Sequence, residues 1–515
     1  MKTILFLATF LVGVFLSRVC GYTKSEITSW CSHTPHPQSC EHFLGTSSNN
    51  GPLKQKPDFV KALLKVTLER AQHARSHTLT LGPKCRNEHE KAAWADCLEL
   101  YNDTILSINK TVDPNQQCSQ VDTQTWLSTA LTNLETCKTG FEELGVNDYV
   151  WPLMNNNVSS LISNTLAMNE GGESLYVAPS PQSLGFPSWV KPGDRKLLQS
   201  KTPKADVVVN KDGSGNYKTI GAAIAAAAKR SGDRRYVIHV KAGVYKENID
   251  IGTKVKNIML VGDGVGKTII TSSRSVRGGS TTFKSATFAV VGDGFICRGI
   301  SFRNTAGPKS QAVAVRNGSD LSVFYQCSFE GYQDTLYVHS NRQFYRQCDI
   351  YGTIDFIFGN AAVVFQNCNI YSRKGPNKTN TLTAQGRTDK NQNTGISIHN
   401  CRVTSAPDLK GVAGVKTFLG RPWRSFSRTV FMKSNLDSLI DPAGWMSWGD
   451  ESALKTLSYG EYKNTGPGSS TAKRVDWKGY RVITSSTEAV KFTVGKFIDG
   501  GYWLPATNVP YTSGL

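Results

Sequence analysis

A repeated segment constrains the fold of this chain more than any other feature of its sequence. FYQCSF, YRQCDI, FQNCNI and IHNCRV place cysteines at Cys327, Cys348, Cys368 and Cys401, the first three almost evenly spaced and the fourth after a longer interval. Repeats of this length, built from short β runs and turns, are typical of a parallel β-solenoid whose coils stack about 4.8 Å apart. Leucine-rich spacing is absent, and a β-propeller needs longer repeats. The pattern therefore predicts a right-handed parallel β-helix over residues 205–515. A short helix at its start should cap one end of the core, and C-terminal segments should cover the other end or a flank.

The region before the repeats has a helical period. Apolar residues recur at helical spacing from Trp94 to Ile108 and from Leu127 to Phe141, which predicts amphipathic helices. Several such helices with short polar breaks indicate an antiparallel four-helix bundle over residues 26–170. Cys31 and Cys40 are close enough to join a helical hairpin. Cys97 and Cys137 are a plausible second pair, which leaves Cys85 and Cys118 as a third option.

Processed segments are expected on either side of the helical region. Residues 1–21 combine a basic start with an apolar run from Ile4 to Leu16, too short to span a membrane, and are interpreted as a signal peptide. Residues 171–204 are rich in Gly, Ser and Pro and are predicted to be a linker. Arg195-Lys196-Leu197-Leu198 within it is suited to proteolytic processing. No other segment is apolar enough to cross a bilayer, so a secreted, soluble product is expected.

Charge is concentrated in the second half of the chain. Residues 199–515 carry a net charge of +20, whereas the net charge of the whole chain is +19. A basic secreted domain is suited to binding an extracellular polyanion, and secretion favours an acidic polysaccharide over nucleic acid. No zinc-like Cys/His spacing or phosphate-binding loop is found, so neither a metal nor another cofactor is expected. Five sequons are candidate glycosylation sites: Asn102, Asn109, Asn157, Asn317 and Asn377.

The coil period also predicts a catalytic site. Gln311, Gln333 and Asp355 are evenly spaced by about one coil, and Asp334 follows Gln333. If the register holds, the four side chains lie on one outer face of successive coils. Of two neighbouring carboxyls, one can stay protonated as a general acid while the other attacks as a nucleophile. The two glutamine amides can donate hydrogen bonds to an oxyanion.

Residues further along the chain complete this predicted site. Arg421, in LGRPW, can hold a carboxylate through two hydrogen bonds. Trp423 offers a flat face for a sugar ring. Four further aromatic residues are weaker candidates for the same role: Trp445, Trp448, Tyr332 and Phe356.

These motifs resemble a known family. The stretch from GYQDTLYVHS to VVFQNC, together with LGRPW, YKTI and KAGVYKENI, is similar to plant pectin methylesterases across residues 205–515. Residues 26–170 resemble the pectin methylesterase inhibitor domain that precedes many of these enzymes, and RKLL resembles the processing motif between the two domains. The resemblance implies an esterase that hydrolyses the methyl esters of polygalacturonate in the cell wall, with an N-terminal pro-region that is autoinhibitory or assists folding.

The resemblance also implies residue roles. Asp355 matches the nucleophile and Asp334 the general acid/base. Gln333 and Gln311 match the oxyanion donors. The family's substrate-contacting positions correspond to Thr281, Gln311, Arg421 and Trp423. It further implies disulfides between Cys31 and Cys40, between Cys97 and Cys137, and between Cys348 and Cys368.

Partners and alternatives follow from the same residues. The expected partners are methylesterified homogalacturonan, proteinaceous pectinesterase inhibitors and a protease acting at the linker, with the enzyme itself a monomer. A pectin-chain hydrolase would need a tighter group of aspartates, and a pectate lyase would need a calcium-binding acidic cluster. A catalytically silent wall-binding or inhibitory protein is the alternative from a different class.

Overall fold

A computed structural model of the full chain describes residues 22–47, 53–149, 156–169 and 204–515. The predicted signal peptide, nearly all of the predicted linker and the processing motif at 195–198 lie outside the described residues. Within the described ranges, no helix is both long and apolar enough to cross a lipid bilayer.

The N-terminal region folds into helices that bury their apolar stripes against one another. The helices are α1 (Lys24–Cys31), α2 (Pro37–Gly45), α3 (Lys56–Leu81), α4 (Glu88–Val112), α5 (Gln120–Glu143) and α6 (Val158–Asn169). Helices α3 to α6 form a four-helix bundle in which each helix packs on two neighbours, as predicted. A capping box at Ser119 and Asp122 begins α5.

Two disulfides staple this bundle. Cys31–Cys40 joins α1 to α2, and Cys97–Cys137 joins α4 to α5, which agrees with the sequence-based pairing. Cys85 and Cys118 are free, so the third option is not formed.

The repeats form a parallel β-helix of three sheets. Each strand pairs in parallel with the equivalent strand of the next coil, as the coil period predicted. One sheet contains β1 (Val207–Val209), β2 (Tyr236–Val240), β5 (Ile258–Gly262), β8 (Ile296–Arg298), β11 (Ser322–Tyr325), β14 (Arg342–Arg346), β17 (Ala362–Gln366), β20 (Gly395–His399), β23 (Arg428–Met432), β25 (Ser458–Tyr462) and β26 (Tyr480–Val482). A second contains β3 (Gly243–Lys246), β6 (Thr268–Ser272), β9 (Ser301–Asn304), β12 (Ser328–Glu330), β15 (Asp349–Gly352), β18 (Asn369–Ser372), β21 (Arg402–Ser405) and β24 (Asn435–Leu436).

The third sheet carries the site and is called the groove sheet. Its strands are β4 (Ile249–Ile251), β7 (Phe288–Val290), β10 (Val315–Asn317), β13 (Leu336–Val338), β16 (Ile357–Gly359), β19 (Thr379–Gln385) and β22 (Lys416–Gly420). Strand pairing places outward-facing side chains of successive coils in one row, about 4.8 Å apart. That row runs Asp250, Ala289, Arg316, Tyr337, Phe358 and Ala384.

Stacked apolar side chains fill the inside of the β-helix. Phe324, Tyr345 and Phe365 stack on successive coils at ring-centroid distances of 5.1 and 4.6 Å. Helix α7 (Ile220–Ala227) buries Ile220 and Ala223 against one end of this core, which confirms the predicted cap.

The C-terminal segment covers a flank of the β-helix, which was one of the two predicted positions. Val494, Ile498 and Trp503 pack on the outer face of the sheet that begins with β1. The short C-terminal helices are α8 (Ala453–Thr456), α9 (Ser486–Ala489), α10 (Val494–Phe497) and α11 (Gly500–Trp503).

The disulfide implied between Cys348 and Cys368 is not formed. Both cysteines are free and buried inside the β-helix. They stand at equivalent positions of adjacent coils, next to the paired Asp349 and Asn369. Parallel side chains in such a stack keep their Cβ atoms near the coil spacing, whereas a disulfide needs about 3.8 Å between them.

The five sequons differ in accessibility. Asn317 lies in β10, is fully buried, and donates hydrogen bonds to Ser322 Oγ and Tyr345 Oη. Its predicted glycosylation is therefore wrong for the folded protein, because a glycan needs an exposed amide. The other four are exposed (Asn157 and Asn377) or partly buried (Asn102 and Asn109).

Candidate active site under the helical domain

Two aspartates face each other at one edge of the groove sheet. Leu336 pairs with Ile357, so Asp334 and Asp355 occupy equivalent positions, each just before its strand, on adjacent coils. The Asp334 N–H donates to the Ile354 carbonyl at 3.1 Å, which extends this register. The predicted neighbouring carboxylates are thus brought together, one coil apart.

The predicted register of the glutamine and the nucleophile is wrong by one position. Asp355 lies opposite Asp334 and not opposite Gln333. Gln311 comes from the coil before, where the N–H of the next residue donates to the Gln333 carbonyl at 3.2 Å. Both glutamines are half-buried at this edge, and no described residue hydrogen-bonds either side-chain amide.

Both aspartates have a left-handed backbone, with φ of 64° at Asp334 and 52° at Asp355. Such angles are uncommon for residues with a Cβ, although Asp tolerates them better than most. Backbone strain of this kind is found at sites where surrounding structure enforces a functional geometry.

Arg421 and Thr381 hold the carboxylate of Asp355. Arg421 Nε donates to Oδ1 at 2.8 Å and Nη2 to Oδ2 at 2.5 Å, a bidentate pair. Thr381 Oγ1 donates to Oδ1 at 2.7 Å. The guanidinium of Arg421 also stacks on the ring of Trp448 at 3.9 Å.

The surroundings of Asp334 are different. It is buried, and burial raises the pKa of its carboxyl well above the ordinary value. The neighbouring charges of Asp355 and Glu143 raise it further, while Arg421 acts in the opposite direction. Burial thus favours the protonated form of Asp334, whereas Arg421 donates two hydrogen bonds to the neighbouring carboxyl of Asp355.

Aromatic rings form the floor beside the pair. Tyr337 and Phe358 stack at 4.2 Å, and Trp423 meets both edge-on at 6.5 and 5.9 Å. Trp445 and Phe356, by contrast, are buried in the interior of the β-helix.

Three residues of the site were not predicted from the sequence: Tyr337, Phe358 and Thr381. Tyr337 and Phe358 have the same spacing as the two aspartates, and this was an available signal. Thr381 lies further from Asp355 than one coil, beyond an extended turn, so the coil period does not indicate it.

The helical domain covers this site. Helix α5 lies against the groove sheet, where Thr136 Oγ1 is 2.9 Å from His339 Nε2. Thr139 Oγ1 accepts from Arg424 Nη2 at 2.8 Å. Further contacts join Thr129 to Asn341, Asn360 to Thr132 and Asn393 to Thr125.

Carboxylates of the helical domain reach the loop that carries Thr281. Asp96 Oδ2 accepts from Thr281 Oγ1 at 2.5 Å, and Glu143 Oε2 accepts from the Thr282 N–H at 2.8 Å. Thr281 is only 1% exposed as a result.

A buried ion pair anchors the N-terminal end of α5. Asp320 accepts hydrogen bonds from Arg342 Nε and Nη2, at 3.0 and 2.7 Å. From α5, Asp122 pairs with Arg342 Nη1 at 2.7 Å and Trp126 Nε1 donates to Asp320 at 3.0 Å.

Similar proteins share both halves of the chain. Residues 206–501 match the Pectinesterase family and residues 25–168 match the plant invertase/pectin methylesterase inhibitor family. The chain is 66% identical over 497 residues to Pectinesterase 2 of Citrus sinensis, covering 96% of each protein. It is 64% identical over 501 residues to the probable pectinesterase/pectinesterase inhibitor 17 of Arabidopsis thaliana, covering 97% of this chain and 96% of the relative.

Solved structures match the β-helix. The pectin methylesterase from carrot is 57% identical with a TM-score of 0.60, and the match covers 62% of this chain and all of that one. The enzyme from Aspergillus niger is 31% identical with a TM-score of 0.51, covering 59% of this chain and 97% of that one. Fold and relatives define a carboxylic ester hydrolase built on a parallel β-helix. The chain belongs to the pectinesterase family and has an inhibitor-family domain in front of the enzyme domain.

Proposed function

We propose that this chain is a cell-wall pectin methylesterase that hydrolyses the methyl esters of polygalacturonate with Asp355 as nucleophile and Asp334 as acid/base. The observation that carries the proposal is the contrast between adjacent carboxyls. Asp355 is held by two hydrogen bonds from Arg421, whereas burial and neighbouring charge raise the pKa of Asp334. A nucleophile and a proton donor are thus present before substrate arrives.

The reaction proceeds in two steps. A carboxylate oxygen of Asp355 attacks the ester carbonyl carbon, and the amides of Gln311 and Gln333 donate hydrogen bonds to the resulting oxyanion. As the bond to the methoxy oxygen breaks, Asp334 gives that oxygen its proton and methanol leaves. The acyl group remains on Asp355 as an anhydride.

Water completes the cycle. Asp334, now a carboxylate, takes a proton from a water molecule whose oxygen attacks the acyl carbon. The anhydride bond to Asp355 breaks, and the galacturonate leaves as a free acid. Trp423 and the stacked rings of Tyr337 and Phe358 provide an apolar surface for the sugar, and Thr281 is a further substrate contact.

The same proposal makes the helical domain an autoinhibitory pro-region. Helix α5 lies over the groove sheet, and Asp96 and Glu143 occupy the hydrogen-bonding groups of Thr281 and Thr282. A polysaccharide cannot reach the aspartates while these contacts hold. Cleavage near residues 195–198 would then be needed for activity, by a protease of the secretory route that the predicted signal peptide implies. Separate inhibitor proteins are expected to bind the uncovered groove.

Methanol release tests the proposal. The folded chain is cut at a protease site introduced at residues 195–198, the helical domain is removed, and methylated pectin is added. Methanol release is expected from the cut protein. Asp355→Asn should abolish release and leave pectin binding intact, whereas the exposed Asp476→Asn should behave like wild type. Near wild-type release from Asp355→Asn would remove Asp355 from its role, and no release from any folded sample would refute the esterase assignment.

A further inference from the structure

Basic residues are concentrated in the first coils of the β-helix, before the coils that carry the two aspartates. Residues 204–277 hold 14 Lys and Arg against 6 Asp and Glu, a net charge of +8. Residues 278–515 hold 27 against 16, so a net charge of +11 is spread over about three times the length. Charge of one sign that is concentrated at one end of a domain creates a local field, which attracts polymers of the opposite charge.

Part of this positive charge lies on the outer face of the sheet that begins with β3. Strand pairing puts Lys246, Thr271 and Arg303 in one outward row on successive coils, so the two cations are two coils, or about 10 Å, apart. Lys211 reaches the same edge, where its Nζ donates to the Val244 carbonyl at 2.7 Å. Lys211 and Lys246 are exposed, and no carboxylate in the part of the chain that the structure describes forms an ion pair with either.

A cavity lies beside this row of side chains. It measures about 530 Å³, a volume that holds small ligands in other proteins. Its lining combines the two cations with hydroxyl and amide groups: Lys246, Arg303, Asn248, Thr271, Ser272 and Thr305. Ser272 Oγ donates to Asn248 Oδ1 at 2.8 Å, and Thr305 Oγ1 donates to the Ser272 carbonyl at 3.0 Å. Oriented hydroxyls beside cations are suited to a sugar that carries a carboxylate.

Two carboxylates close to the cavity already have partners within the β-helix. Glu247 accepts from the N–H groups of Ile220 and Gly221, at 3.0 and 2.9 Å, where α7 begins. Glu330 pairs with Arg303 Nε at 2.7 Å. The charge of the two exposed lysines is therefore left for an anion from outside the described chain.

This surface is separate from the groove and from the helical domain. On the two coils concerned, the loops 273–287 and 305–314 lie between the sheet that begins with β3 and the groove sheet. The lining of the cavity comes from the β-helix alone. The helical domain instead contacts the groove sheet and the loops beside it. The surface is thus open while the groove is covered.

We propose that this face, with Lys211, Lys246 and Arg303, is a second binding surface for an acidic polysaccharide and acts independently of the groove. The cations meet carboxylates of the polymer through charge-assisted hydrogen bonds, and the cavity takes one of its sugar rings. Because the surface is open in the uncut chain, that chain holds an acidic polysaccharide before the helical domain leaves. The inference goes beyond the proposed function and does not depend on which residues perform hydrolysis.

The uncut chain is the sample for the test, because its helical domain covers the groove. Unmethylated oligogalacturonate is titrated into it at low salt, and binding is followed by isothermal titration calorimetry. Binding is expected and should weaken as salt is added, since ions screen exposed charges. Fully methylated oligogalacturonate carries no charge along its chain and should bind far more weakly.

Lys211→Gln combined with Lys246→Gln should weaken binding about tenfold, since each exposed ion pair contributes up to about fivefold to an affinity. Lys473→Gln combined with Lys478→Gln is the matched control. It removes the same charge from exposed positions between β25 and β26 and should bind like the wild type. All four side chains are exposed, so both variants should fold, which circular dichroism checks.

Three results would overturn the second surface. The first is no binding by the wild-type uncut chain, or equal affinity for the methylated ligand. The second is an unchanged affinity of the Lys211 and Lys246 variant. The third is an equal loss in the Lys473 and Lys478 variant, because net charge alone would then explain binding. Methanol release by the cut enzyme is a separate measurement, so failure of the proposed function is distinguishable from failure of this inference.

Discussion

Gly140 offers a direct test of whether α5 covers the active site in solution. It lies in α5 and is buried against the β-helix, where a Cβ would meet only Thr281 Cγ2, at 3.5 Å. That distance is ordinary van der Waals contact, so Gly140→Ala should dock normally. The cavity shared with Trp423 measures only about 10 Å³, which leaves no room for the three further carbons of leucine. Gly140→Leu should therefore dock poorly.

The substitutions have two effects, one on the stability of the helix and one on docking, and the two effects have opposite signs. Replacing a helical glycine stabilises the helix by up to about 1 kcal/mol, so both variants should raise the thermal stability of the helical domain. Overpacking a filled interface costs about 1–3 kcal/mol, which corresponds to a loss of docking of about 5- to 150-fold. Only Gly140→Leu carries that cost.

Methanol release from the uncut chain is the assay. Gly140→Leu should release methanol at least about fivefold faster than Gly140→Ala at equal concentration. After cleavage and removal of the helical domain the two samples should be identical, since the substitution leaves with that domain. Equal release from the two uncut chains would refute the reasoning, whether both are silent or both active.

Further predictions concern pH, the arginine fork and the thiols. Burial raises the pKa of Asp96 to about 7, above its unfolded value of about 3.9. The free energy of unfolding of the docked chain should therefore contain a contribution from neutral Asp96. That contribution should be present in full below about pH 4 and be lost as pH rises through about 7. Asp96→Asn should flatten the dependence of Tm on pH, and an unchanged curve would contradict the burial argument. Arg421→Lys should lower kcat of the cut enzyme about 10- to 100-fold, because a lysine cannot make the bidentate pair with Asp355; near wild-type kcat would contradict that role. The denatured, unreduced chain from residue 22 should titrate seven thiols; a count of five would mean that one further pair of cysteines is joined, and would contradict the free thiols of the stack.

The β-helix itself was predictable because a solenoid is nearly one-dimensional. Each coil contacts only its neighbours, so a spacing in the sequence converts directly into a distance in space. The cysteine spacing predicted the coils, and the same period brought Asp334 and Asp355 together. The predicted register of Gln333 was wrong by one position because strand pairing places Asp355 opposite Asp334, the residue after Gln333.

The cysteines show where spacing stops being informative. Cys97 and Cys137 lie on facing helix stripes, and this sufficed to pair them. Cys348 and Cys368 also lie on adjacent coils, yet a disulfide depends on the distance between the two Cβ atoms and on their directions. In the stack the two side chains stay parallel. Asn317 likewise matches the sequon pattern, but its position in β10 buries the amide.

The amino-acid sequence was enough to predict the two domains, the coil period and the pair of aspartates, since each of these follows from a local period of the chain. The sequence did not predict that α5 packs on the groove sheet or that Glu99 of α4 lies close to Lys284 and Arg316. These contacts join residues that are far apart in the chain, in different domains. No period connects them, because the packing of one domain on another is set by the shape and charge of two assembled surfaces.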